Sequence, residues 1–357
     1  MKKKVLIIIN NLGIGGAERL VVDDINEMLA RGIPIKLLTL KKEPKSSFAE
    51  QCKINKNDWT VISFGSLYSL ASWLATIRFI ARYKPDVVIT HLWYSNTIGR
   101  ISAKICRVKT VITFEHNVYD LIKSKKMFFV DRLLQHFSSH IIAVSGSVRD
   151  SLTRVGIDTK KIKVIYNGID ISKYSEKSKD KIRKDLSIEG EFIYLFVGRM
   201  IHQKGVDILL KAFAKVPTGV LLLVGEGNEK EALIKLAQDL GIEQRIYFLG
   251  IRDDIANLLS SADCFVLSSR YEGLGIVVLE ALAAGKPIIV SNFGPASEII
   301  QNGHNGMIFP IENVEILAEI MSLIATDIEK REYLAKNAIE SSWNFSIQKH
   351  VDLLLES

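Results

Sequence analysis

Residues 264–284 read Cys264-Phe265-Val266-Leu267-Ser268-Ser269-Arg270-Tyr271-Glu272-Gly273-Leu274-Gly275-Ile276-Val277-Val278-Leu279-Glu280-Ala281-Leu282-Ala283-Ala284. Cys264–Leu267 has the length and unbroken apolar character of a strand buried on both faces, as parallel strands are. A polar loop and Gly273-Leu274-Gly275 lead into a helix beginning near Ile276. The N–H groups of Gly275, Ile276 and Val277 come before the helical ladder, with the positive helix end behind them, which predicts an anion site of pyrophosphate size. Glu280, about one turn into the helix, can accept hydrogen bonds from ribose hydroxyls. Glu272, in the loop, stands near whatever the far phosphate carries. The alternative for either carboxylate is that it only offsets the helix dipole, worth about 0.3–1 kcal/mol.

The same alternation repeats along the chain. Phe192–Val197, Val220–Val224, Arg245–Leu249, Pro287–Val290 and the short Met307–Phe309 read as further strands, with helices near 205–215, 228–240, 253–260 and 276–284. The front half shows Val5–Ile9, Ile33–Leu40, Trp59–Ser63, Asp86–Thr90, Thr110–Phe114 and His140–Val144 as strands. Helical stretches lie near 15–30, 68–82, 94–106 and 126–138. Strands alternating with helices of this length imply βαβ units and parallel sheets. Ser172 to Asp185 is a polar connection, and Asn167-Gly168 just before it is a turn signal. The 357 residues therefore divide into two doubly wound α/β domains, with the junction after Asn167. Such domains bind ligands outside the carboxyl ends of their strands, and two of them are expected to leave a cleft there.

Charge separates the halves. Residues 1–167 hold 27 Lys and Arg against 13 Asp and Glu, a net +14, and residues 168–357 hold 20 against 27, a net −7. A basic front half suits a phosphorylated or membrane-borne partner, nucleic acid, or no partner at all. Helix-turn-helix and aromatic RNA-binding motifs are missing, so nucleic acid is not expected. No apolar run approaches the ~20 residues of a membrane-spanning helix. The Lys2-Lys3-Lys4 start precedes only five apolar residues, so no export signal is expected. Cys52, Cys106 and Cys264 form no disulfide or zinc pattern and fit a reducing cytoplasm.

Three more loops carry candidate chemistry. Gly13-Ile14-Gly15-Gly16-Ala17-Glu18 after the first strand is a glycine-rich anion loop, but Glu18 occupies the third glycine position of a dinucleotide fingerprint. A turn without a ligand is the plainer alternative. Gly198-Arg199 ends a strand and Lys204 opens the next helix, so a guanidinium and an ammonium can converge on one anion. His116 and Ser145 follow front-half strands. Asp23-Asp24 and Asp253-Asp254 read as solvated helix faces rather than metal ligands.

Taken together, these segments resemble the retaining GT-B glycosyltransferases, family 4 in particular. Glu272 and Glu280 match its Glu-x7-Glu motif, and Gly15-Gly16-Ala17-Glu18-Arg19 its N-terminal loop. Arg199 and Lys204 match its phosphate pair, Asn167-Gly168-Ile169-Asp170 its interdomain segment, and Gly225-Glu226-Gly227 its next loop. The resemblance implies two Rossmann-like domains facing each other across a cleft, an acceptor side at 1–167 and a donor side at 168–342. The last helix, about 343–357, would return to the first domain. It implies a nucleotide sugar, UDP-sugars foremost, with Arg199 and Lys204 on the diphosphate beside Gly198 and Gly225, and Glu280 on the ribose. Glu272 and the backbone of Leu274, Gly275, Ile276 and Val277 would hold the sugar and distal phosphate. Ile251 and Arg252 would border the base, Gly16 beside Gly15 would approach the diphosphate, and His116 the donor sugar. Glu272, His116, Arg199 and Lys204 are thus the implied catalytic set, with no metal or other cofactor. The implied acceptor is a glycan or polyprenyl-linked sugar of cell-surface polysaccharide synthesis such as lipopolysaccharide or capsule. The implied location is cytoplasmic, with peripheral contact to anionic membrane through the stretch Lys123–Arg132. A nucleotide-sugar 2-epimerase and a non-catalytic sugar-nucleotide-binding protein are the alternatives.

Overall fold

The structure is a computed structural model that describes residues 2–118, 123–174 and 180–357. It divides into two compact units, Met1–Gly168 with Ile347–Ser357, and Ile169–Ser346.

Unit 1 is built on β1 (Val5–Ile9), β2 (Ile35–Thr39), β3 (Trp59–Val61), β4 (Val87–His91), β5 (Thr110–Glu115), β6 (His140–Ala143) and β7 (Ile162–Val164). These pair in parallel in the order β3-β2-β1-β4-β5-β6-β7. The helices are α1 (Gly16–Ala30), α2 (Leu70–Tyr83), α3 (Trp93–Ile105), α4 (Lys125–Leu134) and α5 (Gly146–Arg154). All five residues of β1 are buried, as a strand covered on both faces requires. One side of the sheet packs Leu6, Ile8, Leu38 and Val88 against Ile80 and Ile98 of α2 and α3. The C-terminal helix Ile347–Glu356 packs on α1 through Arg31, whose guanidinium pairs with Asp352 at 2.5 Å.

Unit 2 contains β8 (Ile193–Val197), β9 (Val220–Val224), β10 (Ile246–Gly250), β11 (Cys264–Leu267), β12 (Ile288–Ser291) and β13 (Met307–Phe309), ordered β10-β9-β8-β11-β12-β13 and all parallel. Its helices are α6 (Asp180–Asp185), α7 (Val206–Phe213), α8 (Lys230–Asp239), α9 (Ile255–Ser261), α10 (Ile276–Ala283), α11 (Ala296–Ile299), α12 (Val314–Thr326) and α13 (Ile328–Ser342). In both sheets the strand order reverses once, between β1 and β4 and between β8 and β11. Doubly wound sheets place ligands at this switch point.

The structure departs from the sequence expectation in places. β7 and α5 lie where no element was expected, because three residues of strand and a polar nine-residue helix carry little periodic signal. α6 lies inside the polar connection. Its Arg183 donates to the carbonyls of Ser261 and Glu191 and pairs with Asp263 at 2.7 Å, so tertiary contacts hold a segment whose own sequence reads as linker. Asp23 and Asp24 are not a solvated face. Both are buried, Asp23 beside Arg19 at 3.4 Å and Asp24 beside His350 at 3.3 Å. A charge inside a fold persists when a partner of opposite sign meets it.

Candidate functional site

The expected site residues of unit 2 converge on the carboxyl ends of four strands. Gly198 and Arg199 follow β8, Gly225 follows β9, and Ile251 and Arg252 follow β10. Glu272 to Glu280 span the turn from β11 into α10. The β8 and β9 loops continue the sheet's pairing beyond the strands: Gly198 N–H donates to Val224 O and Met200 N–H to Glu226 O, each at 2.9 Å. Gly225 has φ 132°, and a Cβ there would lie 2.0 Å from Gly198 O. Only glycine permits the two backbones to meet so closely.

Across the switch point, the β8 and β11 loops are joined by side chains. The Arg270 guanidinium forms a fork to both Asp207 oxygens at 3.0 Å, and it also donates to His202 O at 2.7 Å and Glu312 at 2.8 Å. Asp207 is held below the usual carboxylate range: burial pushes it up, but the hydrogen bonds and charge of Arg270 outweigh that push. Gln203 donates to Tyr271 O at 2.9 Å, and Ser268 Oγ to Gly205 O at 2.8 Å. Rigid loops of this kind hold charged groups in fixed places.

This brings Lys204 and Glu272 together. The Lys204 ammonium pairs with Glu272 Oε1, which also accepts from Ser269 Oγ at 2.7 Å. Glu272 is buried, and Arg199, five positions before Lys204 on the same loop, is exposed. α10 opens behind it. Gly275, with φ 82°, is the N-cap residue, and the first bond closes from Val278 N–H to Gly275 O at 2.8 Å. The N–H groups of Gly275, Ile276 and Val277 thus precede the helical ladder, as the sequence predicts. Leu274 is 2% exposed, so the loop's own side chain is packed inward. Glu280 is buried and accepts from Tyr174 Oη at 2.6 Å. Ile251 is 50% exposed, whereas Arg252 is already forked onto Asp254 at 2.7 and 2.8 Å.

Gly15, Gly16 and His116 belong to unit 1. Gly15 caps α1 in an extended conformation, Gly16 is its first residue, and the Glu18 carboxylate folds back over Gly15. Ser95 Oγ donates to Asn10 Oδ1 at 2.8 Å across the β1–β4 switch point. His116 follows β5. Burial, together with the nearby His350 charge, brings its imidazole down to about 3, so it is neutral at physiological pH. Its neighbour Glu115 is held in a buried network: Lys123 donates to Glu115 at 3.1 Å and to Asp131 at 2.7 Å, and Arg100 to Asp131 at 2.6 Å. Lys123 is therefore a structural cation and is withdrawn from the expected membrane face. Lys125, Lys126, Phe129, Arg132 and Leu133 of α4 remain exposed. Ser145 accepts from Val148 N–H at 3.2 Å and so caps α5.

Sequence reasoning missed Tyr174, Gln203, Ser269, Arg270 with Asp207, and His91. The one visible signal was His91, a titratable residue at the carboxyl end of an apolar strand. Tyr174, Gln203 and Arg270 act on partners 63 to 106 positions away, which spacing does not reveal, while Ser269 lies only three positions before Glu272.

Comparison with known proteins agrees with this architecture. The family model for Glycosyltransferase Family 4 matches residues 14–173, and that for Glycosyl transferases group 1 matches residues 178–341. A glycosyltransferase of Methanocaldococcus jannaschii, itself uncharacterized, is 32% identical over 272 residues, 71% of this chain and 70% of its own. The Escherichia coli UDP-Gal:alpha-D-GlcNAc-diphosphoundecaprenol alpha-1,3-galactosyltransferase is 28% identical over 301 residues, 79% of this chain and 77% of its own. Anabaena HepE, solved in complex with UDP and glucose, superposes with a TM-score of 0.89 at 24% identity, covering 99% of this chain and 98% of its own. The two Rossmann-like sheets are those of a GT-B glycosyltransferase. The chain belongs to glycosyltransferase family 4.

Proposed function

We propose that the chain transfers a sugar, with retention of anomeric configuration, from a nucleoside-diphosphate sugar to a glycan or polyprenyl-linked acceptor. The observation that carries this is the pairing of Lys204 with Glu272 across the β8–β11 switch point, with Arg199 exposed on the same β8 loop as Lys204 and α10 starting just after Glu272. A diphosphate brings two phosphates that compete with Glu272 for Lys204. The freed carboxylate then faces the sugar, and Arg199, Lys204 and the helix end stabilise charge on the departing diphosphate. Because these groups are fixed in advance, little reorganisation is needed as the bond to the anomeric carbon breaks. A departing phosphate oxygen is the base for the acceptor hydroxyl, so no side chain serves as covalent nucleophile and no metal is required. Gly198 and Gly225 let backbone approach the phosphates. Glu280, oriented by Tyr174, takes the ribose, Ile251 and Arg252 border the base, Gly15 and Gly16 approach the diphosphate, and His116 touches the sugar.

UDP is the favoured nucleotide, since HepE was solved with UDP and the Escherichia coli relative is named for UDP-Gal. That relative's diphosphoundecaprenol acceptor supports a lipid-linked acceptor here and a role in surface polysaccharide synthesis. The exposed basic and apolar stripe Lys125, Lys126, Phe129, Arg132 and Leu133 supports peripheral contact with the cytoplasmic face of an anionic membrane. Among the described residues no helix is long and apolar enough to cross a membrane. A screen of nucleotide sugars by thermal shift, followed by NMR of the product anomer, tests the proposal. A UDP-sugar should stabilise the protein and yield the same anomer in the product, with EDTA changing nothing. Donor epimerised without acceptor, inverted product, or activity lost to EDTA and restored by Mg²⁺ would each refute the corresponding part. Flotation with anionic but not neutral liposomes is the expected membrane result.

A further inference from the structure

β11 ends at Leu267, and the next two residues, Ser268 and Ser269, are both 0% exposed. Their hydroxyls serve opposite members of the Lys204–Glu272 pair. Ser268 Oγ lies 2.8 Å from Gly205 O and 3.2 Å from Lys204 O, so it donates to the backbone that carries the ammonium. Gly205 has φ 60°, and a Cβ on it would lie 2.2 Å from Ser268 O, so that backbone is pressed against the end of β11. Ser269 Oγ lies 2.7 Å from Glu272 Oε1. An ionised carboxylate only accepts, so the serine donates. Ser269 is itself anchored, since its carbonyl accepts from Ser291 Oγ at the end of β12.

The ammonium and the hydroxyl meet the same oxygen. Lys204 Nζ and Ser269 Oγ both donate to Glu272 Oε1. Glu272 Oε2 accepts no hydrogen bond among the described residues, and unlike the two oxygens of Asp24 it is not sealed from solvent. The carboxylate is thus gripped by one oxygen and leaves the other open. A diphosphate acts differently on the two donors. Its charge attracts the ammonium, whose flexible four-carbon stem can follow. Ser269 is neutral and short, and its backbone is held to β12, so it stays in place. Without Ser269, a carboxylate that Lys204 had left would be buried with no donor, a costly state that turning toward water relieves.

We infer that Ser269 is a positioning residue: it keeps hold of Glu272 Oε1 when Lys204 turns to the diphosphate, and so leaves Oε2 available to a hydroxyl of the donor sugar. The diphosphate and the sugar contact rest on the proposed function; the hold of Ser269 on Glu272 does not. A crystal structure of ligand-free Lys204→Met, which removes the ammonium and keeps an apolar stem, tests the hold directly. Glu272 Oε1 should stay within hydrogen-bond distance of Ser269 Oγ, and in Lys204→Met/Ser269→Ala the carboxylate should turn away from that place. In transfer assays Ser269→Ala should lower kcat about tenfold, with UDP affinity within about twofold of wild type by calorimetry. Ser269→Thr, which keeps the hydroxyl, should recover most of the loss. In a Glu272→Ala background Ser269→Ala should cost less than about twofold more, because nothing remains to be positioned. Glu272 parted from Ser269 in Lys204→Met, wild-type kcat in Ser269→Ala, or a tenfold loss that persists in Glu272→Ala overturns the inference. Should Ser269→Thr fail to fold, the Lys204→Met structure and the Glu272→Ala background decide. A retained Ser269–Glu272 bond in Lys204→Met, in a protein that transfers no sugar, would uphold the hold and refute the proposed reaction instead.

Discussion

Between β8 and β11 the switch point of unit 2 gathers ionised side chains: Lys204 on Glu272, Arg270 forked on Asp207, and Arg199 exposed. Between β1 and β4 the switch point of unit 1 gathers neutral groups: Ser95 on Asn10, with His91 and His116 close by. Net charge runs the opposite way, +14 for residues 1–167 and −7 for residues 168–357. The half with more acidic residues gathers the ionised side chains at its switch point, and the basic half gathers the neutral ones. Placement at a switch point, with a helix end behind it, outweighs the sum over a surface that solvent and salt screen.

The largest effect should come from removing the placed cations. Lys204→Ala and Arg199→Ala should each lower kcat by about 10²–10³-fold, the effect of losing one fixed stabiliser of developing charge, with circular dichroism unchanged. Activity close to wild type in either would move the site elsewhere. Next, Glu280→Ala should weaken nucleoside-diphosphate binding by roughly 10–100-fold, the range for losing a charged hydrogen bond. Tyr174→Phe, which removes only the donor that orients Glu280, should cost less, and calorimetry measures both. Arg270→Leu should destabilise unit 2 by about 2 kcal/mol in urea unfolding, since it breaks the fork to Asp207 and the bond to His202 O.

The smallest effect concerns pH and the neutral site. His116 has its folded value below the usual 6.5, at about 3. The unfolded chain therefore binds the proton more readily. The histidine's contribution to stability is complete above about 6.5 and is lost as pH falls toward 3. His350, raised by Asp24 against its own burial, has the opposite sign, so the informative quantity is a difference. The fall in Tm on acidification should be shallower in His116→Gln than in wild type; parallel profiles would contradict the neutral assignment.

The sequence reveals the two sites unequally, for the same physical reason that they differ. Strands buried on both faces announce themselves as apolar runs, so β1, β4, β8, β9 and β11 fall within a residue or so of their expected places. The loop from Leu267 to Glu280 is equally visible, because glycines, a carboxylate and a helix start lie within one short segment. What holds that loop is not visible. Arg270 meets Asp207, and Tyr174 meets Glu280, across tens of residues, and no local pattern encodes such pairs. In unit 1 the acidic pair Asp23-Asp24 reads as surface from composition, yet it is buried because Arg19 and His350 come to meet it. His91 hides for a related reason: it becomes informative only when β4 and β5 set it beside His116.

On the proposed function, the placed cations of unit 2 bind the diphosphate. Calorimetric titration of UDP and UMP into wild type and into the Arg199→Ala/Lys204→Ala double variant tests it as a coupling cycle. In wild type the distal phosphate should improve affinity by about 10–100-fold, and in the double variant that advantage should nearly vanish. An equal UDP-to-UMP ratio in both proteins would contradict it.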